Sequence, residues 1–244
     1  MFPIRVYNPG PTFKLNLSAT ILKNIQYLFD QQAQELAKIA INTKSALQKY
    51  PEFASLISIV RRHPINTALE IGTYKGGTLY VICQTSNPQA NIISLDFGTR
   101  LDITFNKQET QKFQSYTKPG QTLTCIKRDS HSPATKNYLK KILKNKKLDL
   151  LFIDGDHKYQ GAMADYEMYS SFVKKGGIIL FHDILFHPLA PSTQVDQVWK
   201  ELCFHYRHIE FVDHSDTRGG WGQWGGIGLI YFDPKIDFKN RNIN

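Results

Sequence analysis

The chain has few cysteines and no long apolar run. Cys83, Cys125 and Cys203 are the only cysteines in 244 residues. They are odd in number, far apart and without Cys-x-x-Cys spacing, which excludes a disulfide framework and a structural zinc knuckle and leaves three buried, reduced thiols. No stretch approaches the roughly 18 to 20 apolar residues that a membrane span needs. Met1 to Leu17 shows no basic segment followed by an apolar one, so a cytoplasmic protein is expected. Gly 16 and Pro 11, beside 41% hydrophobic and 21% charged residues, exclude wholesale disorder and a collagen-like repeat. The length suits one sizeable domain with a buried core.

Charge is the composition's one excess. The formal net charge is +9, which raises the question of an anionic partner. Its distribution answers against nucleic acid. Lys136, Lys140, Lys141, Lys144, Lys146 and Lys147 recur at helical spacing, with Tyr138, Leu139, Ile142 and Leu143 on the other face, which is the pattern of a solvated helix surface. No motif with interleaved stacking aromatics accompanies the run.

Apolar residues Ile21, Ile25, Leu28, Phe29, Leu36 and Ile39 predict a helix from Ser18, its cap, to about Ile41. A second helix runs from Pro51 through Phe53, Leu56, Ile57 and Val60 and stops at Pro64. Short apolar runs then alternate with helix-length segments: 68–71, 91–95, 123–127, 149–153 and 178–181. Their near-continuous apolarity suits parallel strands buried on both faces. A helix near 195–206 and strands at 209–212 and 227–232 close the chain. The expected fold is α/β, Rossmann-like and doubly wound, with a mostly parallel seven-stranded sheet and an antiparallel C-terminal strand. Residues 1–64 form an N-terminal helical extension and 65–244 the main domain.

Two groups of polar residues fall at strand ends. In Ala68-Leu-Glu-Ile-Gly-Thr-Tyr-Lys-Gly-Gly-Thr78 an acid and a glycine end the first strand, and two more glycines open the next helix. Backbone without Cβ lets a ligand lie close, and the helix N-terminus faces negative charge. Gly72, Gly76 and Gly77 do not spell Gly-x-Gly-x-x-Gly, which counts against a dinucleotide dehydrogenase. Asp96 ends the second strand, where a carboxylate can accept ribose hydroxyls. Asp129 and Ser130 follow the third, where they could edge onto a base. Packing glycines, a turn aspartate and a simple turn are the alternatives.

The second group is Asp154-Gly155-Asp156-His157 after the fourth strand, with Asp165 beyond it, and His182-Asp183 after the fifth. Ligands bind at the carboxyl edge of open α/β sheets, so these acids and imidazoles converge on one place. Oxygen-rich donors with one imidazole suit Mg²⁺ or Mn²⁺ more than Zn²⁺. A helix-capping Asp and a His-Asp hydrogen-bonded pair are the plainer alternative.

Over about residues 65–185 the sequence resembles the class I S-adenosylmethionine-dependent methyltransferases, through the motif Leu69 to Thr78 and the order of five strands. The resemblance implies that Glu70, Gly72, Tyr74 and Thr78, with Thr73, Gly76 and Gly77, surround the methionine end of the cofactor. It puts the ribose at Asp96 beside Phe97, the adenine at Asp129 and Ser130, and Asp154 at the cofactor's edge. The second group resembles the metal-dependent O-methyltransferase and cephalosporin-hydroxylase-like subfamily. There the matching positions bind magnesium, which implies Asp154, His182 and Asp183 as ligands and His157, beside Asp154, as the general base. That subfamily usually has oxygen donors where His182 stands, so either the site is softer or Asp154 and Asp183 alone are ligands.

The function expected is S-adenosylmethionine-dependent methylation of a hydroxyl on a small molecule or sugar, assisted by a divalent cation. The alternatives are a metal-dependent hydrolase or hydroxylase-like protein that uses the acid/His cluster without methyl transfer, or a cofactor-binding module that interacts with RNA. A homo-oligomer fits either. Phe186-His187-Pro188, Trp199 and the Gly/Trp-rich stretch 219–226 are candidate walls for the acceptor pocket, or core filling.

Overall fold

The computed structural model describes residues 4–7, 30–98, 107–214 and 223–236. One sheet of eight strands organises the molecule. It comprises β1 (Ile4–Tyr7), β2 (Thr67–Ile71), β3 (Asn91–Asp96), β4 (Thr122–Lys127), β5 (Leu148–Ile153), β6 (Val173–His182), β7 (His208–Phe211) and β8 (Ile227–Tyr231), in the order β1-β7-β8-β6-β5-β2-β3-β4. Strands β2 to β6 pair in parallel, and β8 runs antiparallel to both β6 and β7. The seven expected strands are all there, with β8 the opposing one. An eighth, β1, pairs antiparallel with β7 at the edge; its four residues are too short a run to announce themselves.

The central strands are apolar on both faces, and the two-residue period divides them between two layers. Leu150 and Phe152 of β5 join the core on one side, and Leu151 and Ile153 join the core on the other. Helices α1 (Gln31–Lys44), α2 (Tyr50–Val60) and α3 (Gly77–Thr85) cover the first face. Helices α5 (Pro133–Leu143), α6 (Tyr159–Tyr169) and α7 (Val195–Cys203) cover the second. Helix α4 (Lys107–Gln114) adds Phe113 to the first core. The N-terminal helices therefore share a core with the sheet, through Ala33, Ala37, Ala40 and Phe53.

The expected Ser18 cap and the periodic residues before Asp30 lie outside the described residues. The described helix starts at Gln31, where the Asp30 carboxylate accepts from the Ala33 N–H at 2.5 Å. The lysine-rich helix ends at Leu143, earlier than the charge pattern suggests, because Lys144 and Asn145 turn left-handed (φ 47° and 67°). Lys140, Lys141, Lys144, Lys146 and Lys147 are exposed, as a solvated face requires. All three cysteines are free, and burial pushes the thiols of Cys83 and Cys125 up to about 12 and about 11. Among the described residues no helix is long and apolar enough to cross a membrane.

Candidate active site

The carboxyl ends of β2, β3, β5 and β6 open into one cavity of about 920 Å³. Gly72, Thr73, Tyr74, Gly77, Thr78, Asp96, Phe97, Asp129 and Ser130 line it together with Asp154, His157, His182 and Asp183. Both groups of strand-end residues thus meet around a single space.

The turn after β2 is glycine-rich first of all because the protein itself crowds it. A Cβ on Gly72, whose φ is 86°, would stand 2.0 Å from the Asp154 carbonyl oxygen, so only glycine lets the end of β5 approach. A Cβ on Gly77 would stand 2.3 Å from the Ala46 backbone nitrogen, and this close approach brings the α1–α2 joint, Ser45 to Gln48, to the cavity wall. The sequence suggested that these glycines make room for a ligand; their contacts show that they make room for neighbouring backbone. Gly76 packs on the Phe113 ring and does not line the cavity.

Glu70 also lies behind the wall. It is fully buried beneath the turn, where it accepts from Ser94 Oγ at 3.3 Å. Burial first, and then the nearby charges of Asp154 and Asp96, push its carboxyl well above the usual range. Asp96 faces the cavity, yet it is already engaged. Its Oδ2 accepts from the N–H groups of Thr73 (2.7 Å) and Tyr74 (3.1 Å), and its Oδ1 from Gly98 N–H (2.7 Å). Of the roughly four acceptor positions of a carboxylate, one remains for a hydroxyl, where the sequence suggested a grip on two. Tyr74 takes up a left-handed backbone (φ 46°) that presents its N–H to Asp96.

At the other end of the cavity, Asp154 Oδ1 lies 3.4 Å from His157 Nε2 and 3.4 Å from His182 Nδ1. Asp183 closes the ring, 3.6 Å from His157 Nδ1 and 3.6 Å from His182 Nδ1. Asp183 sits at φ 59°, a conformation that Asp tolerates better than most residues and that turns the chain at once as β6 ends. Ligand atoms from Asp154, His182 and Asp183 all lie within 4.8 Å of one another, a spacing that one cation can bridge. Two carboxylates and one imidazole are a donor set that fits a divalent metal.

The charges hold one another. Burial pushes the Asp154 carboxyl up, but the imidazoles of His182 and His157 outweigh it and leave the group below the usual carboxylate range. Burial pulls His182 down, and the carboxylates of Asp183 and Asp154 reverse this and raise it to about 10. The hydrogen bond to Asp154 raises His157 as well, against its partial burial.

Several residues of the site carried no signal in the sequence. Gln48 Nε2 donates to Asp154 Oδ2 at 3.3 Å across 106 positions. His131 lines the cavity, with Nε2 3.1 Å from Gly161 O and 3.4 Å from Asp165 Oδ1. Trp224, by contrast, belongs to the stretch 219–226 that the sequence offered as a wall; it lines the cavity, and the ammonium of fully buried Lys49 stands 5.0 Å from the centre of its ring. Lys49 Nζ donates to Asp213 O at 2.7 Å, while Glu52 accepts from the N–H groups of Asp213 (2.8 Å) and Gly226 (3.0 Å). The first turn of α2 thus grips both sides of the Gly/Trp-rich stretch, of which 219–222 lie outside the described residues. Among the other candidate walls, His187 lines the cavity and Trp199 does not. Trp199 packs in the second core, its ring against Gly228 and 6.1 Å from Phe181.

The chain is similar to proteins already known. Residues 69–184 match the family described as a methyltransferase domain. An uncharacterised protein of Acanthamoeba polyphaga mimivirus is 36% identical over 131 residues, 52% of this chain and 55% of that one, so the chain spans about half the length of this relative. The O-methyltransferase from Bacillus cereus, solved in complex with S-adenosylhomocysteine, superposes with a TM-score of 0.54 at 14% identity, covering 86% of this chain and 97% of that one. The O-methyltransferase TomG of tomaymycin synthesis from Streptomyces achromogenes, solved with S-adenosylmethionine, gives 0.53 at 12% identity, covering 91% and 100%. At such identities the likeness is one of fold, and residues 69–184, which match the methyltransferase-domain family, form the part of the chain that carries the strand-end groups.

Proposed function

We propose that the protein is an S-adenosylmethionine-dependent methyltransferase that acts on a hydroxyl of a small molecule or sugar, with a divalent cation at Asp154, His182 and Asp183 and with His157 as general base. The observation that carries this reading is the single cavity in which the Gly72 turn and Asp96 face the Asp154–His157–His182–Asp183 ring. The cofactor supplies a methyl group activated by sulfonium charge. The protein's share is then alignment and removal of the acceptor's proton.

The turn and Asp96 hold a nucleoside end, and Asp129 and Ser130 border its far edge. Asp154, His182 and Asp183 would hold a divalent cation, magnesium being the hard-donor choice, which would supply Lewis acidity toward the acceptor hydroxyl. His157 is the most accessible member of the ring, its side chain 44% exposed, so it can reach an acceptor. Asp154 and Asp183 face its two nitrogens and stabilise the imidazolium that forms when it takes the proton. The same carboxylates raise the imidazole above its ordinary 6.5. Because the base must be neutral to act, turnover rises with pH. Trp224 and Leu47 give the acceptor an apolar wall suited to a ring or a sugar face.

Titration calorimetry with S-adenosylmethionine, with and without Mg²⁺, tests the reading. Binding is expected in both, and no heat at millimolar cofactor overturns it. With a hydroxyl acceptor in hand, EDTA abolishes turnover and Mg²⁺ restores it. His157→Ala keeps cofactor binding while losing about a hundredfold to ten-thousandfold in rate.

A further inference from the structure

A second cluster of ligating side chains lies away from the cavity, where α7 crosses the edge of the sheet. Residues two apart on a strand share a face, so His208 and Glu210 of β7 both meet α7. Trp199 and Cys203, four apart on α7, meet them from above. Ligand atoms of Cys203, His208 and Glu210 all lie within 4.8 Å of one another. The register separates this place from the cavity. His208 pairs with Ile230 of β8, whereas the cavity residue His182 pairs with Ile227 at the opposite end of that strand.

Two of the three side chains are oriented from outside the cluster as metal ligands are. His208 Nδ1 lies 2.9 Å from Tyr206 O, and a carbonyl can only accept, so the neutral ring carries its proton on Nδ1 and its lone pair on Nε2. Glu210 Oε1 accepts from Trp199 Nε1 at 2.8 Å, which fixes the carboxylate. The Trp199 ring also stands edge-on to His208, 5.6 Å between centroids. Cys203 and Glu210 are partly exposed, which gives an ion a way in.

We propose that Cys203, His208 and Glu210 form a zinc site that ties the end of α7 to β7, with the fourth position of a tetrahedral ion open to water. A thiolate, an imidazole and a carboxylate form a donor set of borderline softness, which suits Zn²⁺ and not the hard cation expected at Asp154. Cys203 is a free cysteine, and its thiol must lose its proton to bind the ion. Uptake replaces the S–H bond by an S–Zn bond and releases one proton to solvent, with no change of oxidation state, and affinity therefore rises with pH.

Cobalt is the probe, because only a thiolate ligand gives Co²⁺ its near-ultraviolet charge-transfer band. The chelator-stripped full chain is titrated with Co²⁺. One equivalent is expected to raise the band in the wild type and in Asp154→Asn, and none in Cys203→Ser. Glu210→Gln keeps an oxygen to accept from Trp199, so the edge stays folded, and zinc should displace cobalt from it about tenfold less effectively or worse. A wild type without the band, or a band that survives Cys203→Ser, overturns the proposal. So does Glu210→Gln holding zinc as tightly as the wild type.

Discussion

Asp96 and Asp154 stand at the same sheet edge with one strand between them, and they are held in opposite ways. Asp96 is fixed by three backbone N–H groups. Asp154 is fixed by two imidazoles and the Gln48 amide. Backbone donors do not titrate in water, whereas imidazoles do so within reach of neutral pH. The Asp96 side of the cavity is therefore built to keep its shape at any working pH, and the other side is built to respond to it.

The largest effect is expected where the two halves touch. Gly72→Ala drives a Cβ into the Asp154 carbonyl at an unfavourable φ, and should remove about 3 kcal/mol or more of folding stability in urea denaturation. Wild-type stability in this variant would break the link between the halves. A middle-sized effect distinguishes the acids. Asp96→Asn offers one oxygen where three N–H groups need acceptors, and should weaken S-adenosylmethionine about tenfold to a hundredfold, equally at all pH values.

The Asp154 side should instead show itself in the metal-free protein's response to pH. The folded His182 pKa of about 10 lies above its ordinary 6.5, so the stability it contributes is complete below pH 6.5 and is lost as pH climbs through about 10. Asp154→Asn should flatten that decline in thermal unfolding, and an unchanged slope would remove the charge ring as its cause. The smallest effect sharpens the comparison from outside. Lys141→Ala, on the exposed face of α5, should change stability by less than about 0.5 kcal/mol and leave cofactor affinity alone.

The strands were legible because burial on both faces demands unbroken apolar runs, as in Leu150 to Ile153. The first half of β6 was not, because Lys174, Lys175, Gly176 and Gly177 read as a turn although the strand begins at Val173. The charged ring was legible for a related reason: Asp154, His157, His182 and Asp183 each follow such a run, and the sheet then aligns the run ends. Gln48 and His131 were hidden, since each reaches the cavity through packing between elements far apart in the chain, whereas Trp224 falls in the stretch 219–226 that the sequence offered as a wall. The sequence left Trp199 open between cavity wall and core filling, because an indole carries no mark of which face of α7 it occupies; Gly228 supplies the space beneath it that decides for the core.

The contact between Gly77 and Ala46 makes the joint between the first two long helices part of the cavity's rim. That joint lies ahead of the 69–184 domain and carries none of the strand-end charges. Substitutions at 45–47 can remould the entrance while the machinery at the strand ends stays as it is, so selectivity and chemistry are free to diverge on separate schedules.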